Sequence, residues 1–174
     1  MLQQTLIIIK PDGVQGGFTE EIIERYEQAG LKVVKRRDLM APHDLVEKHY
    51  PMEPSYLRSI GEKTIAAGQK VKSAQDQGRK VVTWLRKFIT SGPIVALLLE
   101  GKNAVSVARE VTGFTDPSSA EKGTIRGDLG TDSILKANME ERPVYNLIHA
   151  SGSEEEAKKE IKLWFGESFQ RQQS

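Results

Sequence analysis

The stretch NLIHASGS at residues 146–153 carries the features around which the rest of the chain is organised. Its first residues predict a short buried strand that leads into His149, and small residues follow. Ser153 and Glu156 have the spacing of a capping box, which predicts that a helix begins there. We therefore expect His149 at a strand end, close to helix N–H groups that favour anions. A histidine that only completes a core strand is the alternative.

A second chemically suggestive strand end lies near the N-terminus. Residues 5–9 (TLIII) form an unbroken apolar and β-branched run, which is typical of a strand buried on both faces. The turn sequence KPDG at residues 10–13 ends this run. Lys10 is therefore expected at the end of a central strand, either as a surface charge or as a point charge that binds phosphate.

Apolar periodicity predicts the other elements in chain order. They are a helix over 19–29, a strand over 31–40, a short helix ending near Tyr50, a helix over 81–89, a strand over 94–99, a helix over 104–111, a strand over 146–149 and a helix over 153–165. The segment 51–80 is harder to interpret, because Gly61, Gly68 and Gly78 break it. We expect a helical excursion with solvated charges there.

The alternation of strands and helices favours an α/β (α+β) fold of the ferredoxin-like type. In that fold, split βαβ units form a four-stranded antiparallel sheet that is covered by helices. A doubly wound parallel sheet is the second choice, since it has a similar element order. A long loop at 123–145 precedes the last strand, and loops of this length in small domains are often functional.

Composition is that of an ordinary globular protein. The 174 residues are 38% hydrophobic and 28% charged, with a net charge of +1, and are expected to form a single domain over 1–174. This charge gives no global attraction to DNA or to an acidic membrane. The lack of cysteine excludes disulfides and fits a cytoplasmic protein. We expect no signal peptide, no membrane span and a polar tail at 170–174.

Several kinds of site are excluded by the motifs. The sequence has no Walker motif, no G-x-G-x-x-G after a strand and no G-x-S-x-G. His43, His49 and His149 do not form a metal-ligand pair on one helix face, so we expect no zinc site. The basic segment 51–80 offers little support for nucleic-acid binding, because Tyr56 is the only stacking aromatic in it.

After these exclusions, the remaining candidates for a functional site are His149 and several cationic residues. Lys10, Arg109 and Arg126 lie at element ends or in a glycine-bordered loop, and Thr115 and Asn146 add uncharged hydrogen-bonding groups. Such a set would neutralise a polyphosphate while a neutral imidazole attacks it. Histidine suits this role because its pKa lies near neutrality, and phosphoryl transfer depends mainly on positioning and charge stabilisation.

Six segments, in order, resemble the nucleoside diphosphate kinase family over nearly the whole chain. They are TLIIIKPDGV at 5–14, EIIERYE at 21–27 with Gly30, SGP at 91–93, GFTDP at 113–117, GTIRGD at 123–128 and NLIHASGS at 146–153. The resemblance implies ping-pong transfer of a γ-phosphate from a nucleoside triphosphate to a nucleoside diphosphate, with Mg²⁺ on the nucleotide. It implies low base specificity and no metal ligand from the protein.

The resemblance also implies roles for individual residues. His149 resembles the nucleophile that becomes phosphohistidine, Glu160 would orient its imidazole through the other nitrogen, and Ser151 would support that carboxylate. Lys10 is expected in the catalytic set as well. The residues that match the family's phosphate and ribose contacts are Lys10, Tyr50, Arg109, Thr115, Arg126 and Asn146.

The chain departs from the family pattern at the histidine motif. The family usually reads H-G-S-D, whereas this chain has His149-Ala150-Ser151-Gly152, similar to archaeal and related members. The missing aspartate is the one feature that favours an alternative, a nucleotide-binding or scaffold module without transfer. A nucleic-acid-binding module that uses the basic segment 51–80 is a third possibility.

Two insertions are also expected relative to the family. One falls between Tyr50 and Ser91 and gives an insertion-bearing helical lid over 51–85, in which Tyr56, Trp84 or Phe88 would replace the usual base-stacking aromatic. The other falls in the loop 123–145, which family members use for trimer contacts. The resemblance implies a homo-oligomer, with a hexamer favoured and a tetramer or dimer left open.

Overall fold

The computed structural model describes residues 2–166, so the polar tail predicted at 170–174 lies outside the described residues. In chain order the elements are β1 (Leu2–Ile9), α1 (Pro11–Gln15), α2 (Thr19–Gln28), β2 (Lys32–Met40), α3 (His43–His49), α4 (Pro54–Ala66), α5 (Ala74–Ile89), β3 (Pro93–Lys102), α6 (Ala104–Thr112), a short 3-10 turn (Pro117–Ser119), α7 (Ile125–Leu129), α8 (Ile134–Met139), β4 (Ile148–Ala150) and α9 (Glu154–Phe165). None of the helices in this part of the chain has the length and hydropathy required to cross a bilayer.

The four strands form one sheet in the order β2-β3-β1-β4, and every neighbouring pair is antiparallel. The ferredoxin-like prediction is thus confirmed, and the parallel alternative is wrong. In the register of this sheet, Ile8 on β1 lies opposite His149 on β4. Side chains of directly opposed residues point to the same face, so the position of Ile8 fixes the side to which His149 points.

The sheet is buried on both faces because β1 and β3 are apolar at successive positions. On one face, Ile7 and Leu97 pack with α2 and α6. On the other face, Leu6, Ile8 and Leu98 pack with α3, α5 and α9. All five of these side chains are fully buried. His149 shares the face of Ile8 and therefore points toward α3 and α9.

Helices α4 and α5 pack against each other at two glycines. A Cβ at Gly61 would lie 1.7 Å from the carbonyl oxygen of Ala74, and a Cβ at Gly78 would lie 1.7 Å from that of Leu57. The prediction that Gly61 and Gly78 break this segment was wrong, because both are helical residues that permit close backbone approach. Gly68 does end α4, with a left-handed φ of 97°.

The stretch predicted as a long loop, 123–145, contains the two short helices α7 and α8. A buried polar chain ties α8 to the α4–α5 pair. Gln77 Nε2 donates to Asn138 Oδ1 at 3.1 Å, and Asn138 Nδ2 donates to Thr64 Oγ1 at 3.3 Å. The paired helices and the loop helix are therefore held as one wall.

Candidate active site

A cleft of about 400 Å³ lies between this wall and the end of β4. Seven of the residues predicted for the site line it: Lys10, Tyr50, Arg109, Thr115, Arg126, Asn146 and His149. Glu160 and Ser151 do not line it, and lie behind His149 instead. The predicted residues thus divide into a group that faces the cleft and a pair that supports the imidazole from below.

The imidazole of His149 is oriented by a carboxylate. Its Nε2 lies 3.0 Å and 2.9 Å from the two carboxylate oxygens of Glu160. No described residue hydrogen-bonds its Nδ1, and the side chain is 20% exposed. With Nε2–H donated to Glu160, the lone pair of a neutral ring is on Nδ1.

Glu160 is held ionised in a mostly buried position. Ser151, fully buried next to β1, donates its hydroxyl to Glu160 Oε2 at 2.7 Å. Burial by itself raises the pKa of Glu160, but His149, His49 and the Ser151 hydroxyl lower it by more, to about 2. A negative charge therefore stays next to His149 throughout the neutral pH range.

A second histidine, His49, packs on the first, and the sequence analysis considered it only as a possible metal ligand. His49 is buried, and its ring lies edge-on to His149 with the centroids 4.5 Å apart. Trp164 Nε1 donates to His49 Nδ1 at 3.1 Å, so the proton of the neutral ring is on Nε2. Burial lowers the pKa of His49 to about 3 and keeps it neutral.

The ligand atoms of His49, His149 and Glu160 lie within 4.8 Å of one another, as in a metal site. A metal would need the lone pair of His49 Nε2, but that nitrogen carries the ring proton because Trp164 donates to Nδ1. Glu160 is already bonded to His149 and Ser151. The cluster therefore fits an imidazole support better than a metal centre.

Lys10 and Asn146 form the floor of the cleft. Lys10 is buried, and its Nζ donates to Asn146 Oδ1 at 2.8 Å. Asn146 Nδ2 in turn donates to the Thr115 carbonyl at 3.0 Å. Burial, followed by the charge of Arg126, lowers the pKa of Lys10 to about 7. Its ammonium is therefore only partly populated at neutral pH until an anion joins it.

The two predicted arginines differ in their surroundings. Arg126 is buried and donates to the backbone carbonyls of Asn146, Gly113 and Ile148. It thereby fixes the backbone on both sides of the cleft floor, and with a pKa lowered by burial to about 10 it stays charged. Arg109 is exposed and makes no hydrogen bond or ion pair within residues 2–166, so its guanidinium is available to a ligand.

The turn after β1 holds the chain that leads to His149. Leu147 has a left-handed φ of 71°, which costs about 1–3 kcal/mol in a non-glycine residue. Its N–H donates to Asp12 Oδ2 at 3.0 Å, and its carbonyl accepts from the Lys10 N–H at 2.8 Å. A Cβ at Gly13 would lie 3.0 Å from that carbonyl, so the glycine permits the approach.

Comparisons with known proteins agree with this geometry. A family model described as nucleoside diphosphate kinase matches residues 3–57 and 69–169. The nucleoside diphosphate kinase of Pyrobaculum aerophilum is 43% identical over an alignment 176 positions long, which covers 95% of this chain and 96% of the relative. The enzyme of Staphylococcus epidermidis is 38% identical, with 96% and 90% of the two chains covered.

Solved structures give the same result. The NDP kinase from Pyrobaculum aerophilum superposes with a TM-score of 0.89 at 40% identity, covering 96% of this chain and 97% of that one. A Borrelia burgdorferi nucleoside diphosphate kinase, solved as a transition-state mimic with vanadate and ADP, superposes at 0.77 with 34% identity over 94% and 87% of the chains. The chain belongs to the nucleoside diphosphate kinase family.

Membership establishes a phosphotransferase that moves the γ-phosphate of a nucleoside triphosphate to a nucleoside diphosphate by the family's phosphohistidine mechanism. Nucleoside diphosphate kinases use a divalent metal together with their nucleotides. The family match leaves out residues 58–68, which lie in α4 and the turn after it. Part of the cleft wall is thus built from residues that the family model does not match.

At Gly152, where the H-G-S-D pattern has aspartate, a carboxylate from α9 lies next to the backbone. A Cβ at Gly152 would lie 2.5 Å from Glu156 Oε2 and 3.7 Å from Arg109 Nη1. Glu156 also accepts the Gly152 N–H at 2.5 Å, while Ser153 caps the helix by accepting the Glu156 N–H at 3.1 Å. The carboxylate of Glu156 therefore lies where an aspartate side chain at position 152 would project.

The structure also separates the three candidate base-stacking aromatics. Tyr56 lines the cleft, whereas Trp84 and Phe88 do not, and Phe88 packs on Tyr145 with the rings 5.2 Å apart. Sequence reasoning missed Phe114, which lines the cleft and is 61% exposed. The signal that could have identified it was its place in the GFTDP motif at 113–117, directly before the predicted site residue Thr115.

Proposed function

We propose that His149 relays the phosphoryl group through Nδ1. The supporting observation is that Glu160 bonds to Nε2 and leaves Nδ1 as the nitrogen with a lone pair. In the first half-reaction a P–N bond forms at Nδ1, and the bond from the γ-phosphorus to its bridging oxygen breaks. The diphosphate leaves with that oxygen. In the second half-reaction an oxygen of another diphosphate attacks, and the P–N bond breaks.

The cations of the cleft have complementary roles in this proposal. Arg109, which has no partner among residues 2–166, binds phosphate oxygens directly. Lys10 adds charge at the floor, and Arg126 combines charge with its hold on the backbone. Tyr50 donates its hydroxyl, since burial raises its pKa and keeps it protonated. Preorganised donors of this kind stabilise the charge that develops on the transferred group.

The remaining contacts hold the nucleoside. In the proposal, Thr115 and Asn146 contact phosphate or ribose oxygens, and Tyr56 stacks on the base. Tyr56 is supported because it is the one of the three proposed aromatics that lines the cleft. Base–aromatic contacts are tolerant of sequence, so this arrangement agrees with low base specificity.

Magnesium enters this proposal as part of the substrate. Mg²⁺ prefers oxygen ligands and commonly sits on nucleotide phosphates with several waters. Among the described residues that line the cleft, Glu156 is the only carboxylate, and it already accepts the Gly152 N–H. The donor set thus fits a metal held by phosphates and water, with Glu156 as a nearby acceptor for a water ligand.

We also propose that the protein assembles into an oligomer and that it is cytoplasmic. A homo-oligomer, with a hexamer favoured over a tetramer or dimer, follows from the family resemblance. Exposed Met139 and Leu2 offer apolar surface for subunit contacts. The lack of cysteine supports a cytoplasmic location. Sedimentation velocity at several concentrations tests the assembly, and a monomer at all concentrations would contradict it.

Labelled ATP with Mg²⁺ tests the nucleophile. The protein should gain an acid-labile, alkali-stable label, which disappears when a nucleoside diphosphate is added. His149→Gln should abolish the label, whereas His43→Gln, at an exposed histidine outside the cleft, should label like the wild type. Equal labelling of His149→Gln would show that another residue is the acceptor.

A further inference from the structure

The wall of the cleft carries a cation that the family resemblance does not account for. Lys63 on α4 lines the same cleft as Lys10, Arg109 and Arg126. It lies within residues 58–68, which the family model leaves unmatched. Four cations, three from the helices α4, α6 and α7 and one from the turn after β1, thus face the same cleft. The fifth lining cation, Arg142, is already paired with Asp132 at 2.6 Å.

We propose that Lys63 is a phosphate-binding residue, which reaches from α4 to the β- and γ-phosphates of the bound nucleotide opposite Lys10 and Arg126. This inference rests on the proposed function and extends it, because it adds a specificity element for polyphosphate. The chemical class of its ligand is a nucleoside di- or triphosphate.

The surroundings of Lys63 support a ligand and not a structural partner. Within residues 2–166, Lys63 makes no hydrogen bond or ion pair. The Lys63 side chain is accessible to solvent through the cleft, but the surrounding protein removes part of its hydration. This desolvation, together with the charges of Arg126 and Arg109, lowers the pKa of Lys63. Glu156 acts in the opposite direction. Like charges facing one another destabilise the unliganded protein, and a polyanion relieves that repulsion.

The backbone that carries Lys63 is held in place. The next residue, Thr64, is buried and accepts the hydrogen bond from Asn138 on α8. Two residues earlier, Gly61 packs directly on α5. The ammonium is therefore presented from a fixed helix, so the entropy lost on binding phosphate is mainly that of one side chain.

The thermal stability of a Lys63 variant distinguishes a phosphate-binding role from a structural role. If Lys63 supported the fold, its replacement would lower the melting temperature of the free protein. If it binds phosphate, Lys63→Met should leave that temperature unchanged or raise it, and should reduce the additional stabilisation by ATP. A ligand stabilises a protein by an amount that depends on its affinity, so the increase in melting temperature caused by ATP measures nucleotide binding.

The experiment compares Lys63→Met, Lys63→Arg and Lys70→Met, the last being a matched loss of an exposed lysine outside the cleft. Calorimetric titration with ATP, ADP and AMP should show affinity for ATP and ADP lowered about tenfold in Lys63→Met, with a smaller loss for AMP. Lys63→Arg should keep most of the affinity, and Lys70→Met should match the wild type.

Two results would overturn the inference: equal losses in Lys63→Met and Lys70→Met, or a lower melting temperature of Lys63→Met with unchanged nucleotide affinity. The proposed function is tested separately by phosphoenzyme formation in the wild type. Failure of that labelling with intact ATP binding would refute the relay through His149, while the titrations would still decide the role of Lys63.

Discussion

Replacing Glu160 by glutamine tests how much the carboxylate contributes to phosphoryl transfer. Glutamine keeps the size and one oxygen acceptor, so it removes mainly the negative charge beneath the ring. The imidazole of His149 gains positive character as Nδ1 attacks, so the charge of Glu160 stabilises the transition state more than the resting enzyme. Only such a difference changes the rate of the chemical step.

The expected magnitude follows from the geometry. The pair is close, at 2.9 and 3.0 Å, and its side chains are only 20% and 11% exposed, so solvent screens it little. Hydrogen bonds to charged groups contribute about 1.5–3 kcal/mol and neutral ones about 0.5–1.5, which leaves about 1–2 kcal/mol for the charge. The rate of phosphoenzyme formation should therefore fall about 5- to 30-fold.

Rapid-quench measurement of phosphoenzyme formation from labelled ATP gives this rate directly. Glu155→Gln is the matched control, since the same change is made on the same helix at a fully exposed residue that pairs with Lys159. Phosphorylation of Glu160→Gln at the wild-type rate, with Glu155→Gln also unchanged, would refute the argument that this charge assists transfer.

The same substitution makes a stability prediction with a definite sign. The pKa of Glu160 is lowered from 4.5 to about 2 in the folded protein. Its ionised form therefore stabilises the fold above pH 4.5, and this contribution is lost as the pH falls from about 4.5 through 2. The free energy of unfolding should decline less steeply in that range for Glu160→Gln, as measured by urea denaturation.

Two further predictions concern the cleft. The pKa of Lys10 is lowered to about 7 by burial and by Arg126, and bound phosphate favours its charged form, so nucleotide binding above pH 7 should take up a proton. Calorimetry in buffers of different ionisation heat measures this uptake, and unchanged uptake in Lys10→Met would refute the assignment. Gly152→Asp should lower kcat/KM because its Cβ would meet Glu156, and Glu156→Ala should restore part of the loss, with a coupling of about 1 kcal/mol or more. Additive effects in the double-mutant cycle would show that the two carboxylates do not share one place.

Much of the fold was predictable because its signals are local. The apolar run at 5–9 required burial on both faces, and the turn KPDG required the chain to leave the sheet just after Lys10. The Ser153 cap marked the start of α9. The interior of the wall was not predictable in the same way. From the local sequence, Gly61 and Gly78 are interpreted as helix breakers. Only the close packing of α4 on α5 shows why glycine is needed at both positions.

In the candidate site, the sequence predicted which residues lie in the cleft but not which hydrogen bonds they make. Motifs placed Arg126 and Asn146 in the cleft, but they did not show that Arg126 bonds to three backbone carbonyls or that both ends of the Asn146 amide are engaged. These contacts join segments far apart in the chain, and no local spacing encodes them. These contacts also distinguish residues that position the site from residues that are available to bind a ligand. A residue whose donors already have protein partners supports the site, whereas Arg109 and Lys63, which have none among residues 2–166, are the cations best placed to change partners when a nucleotide arrives.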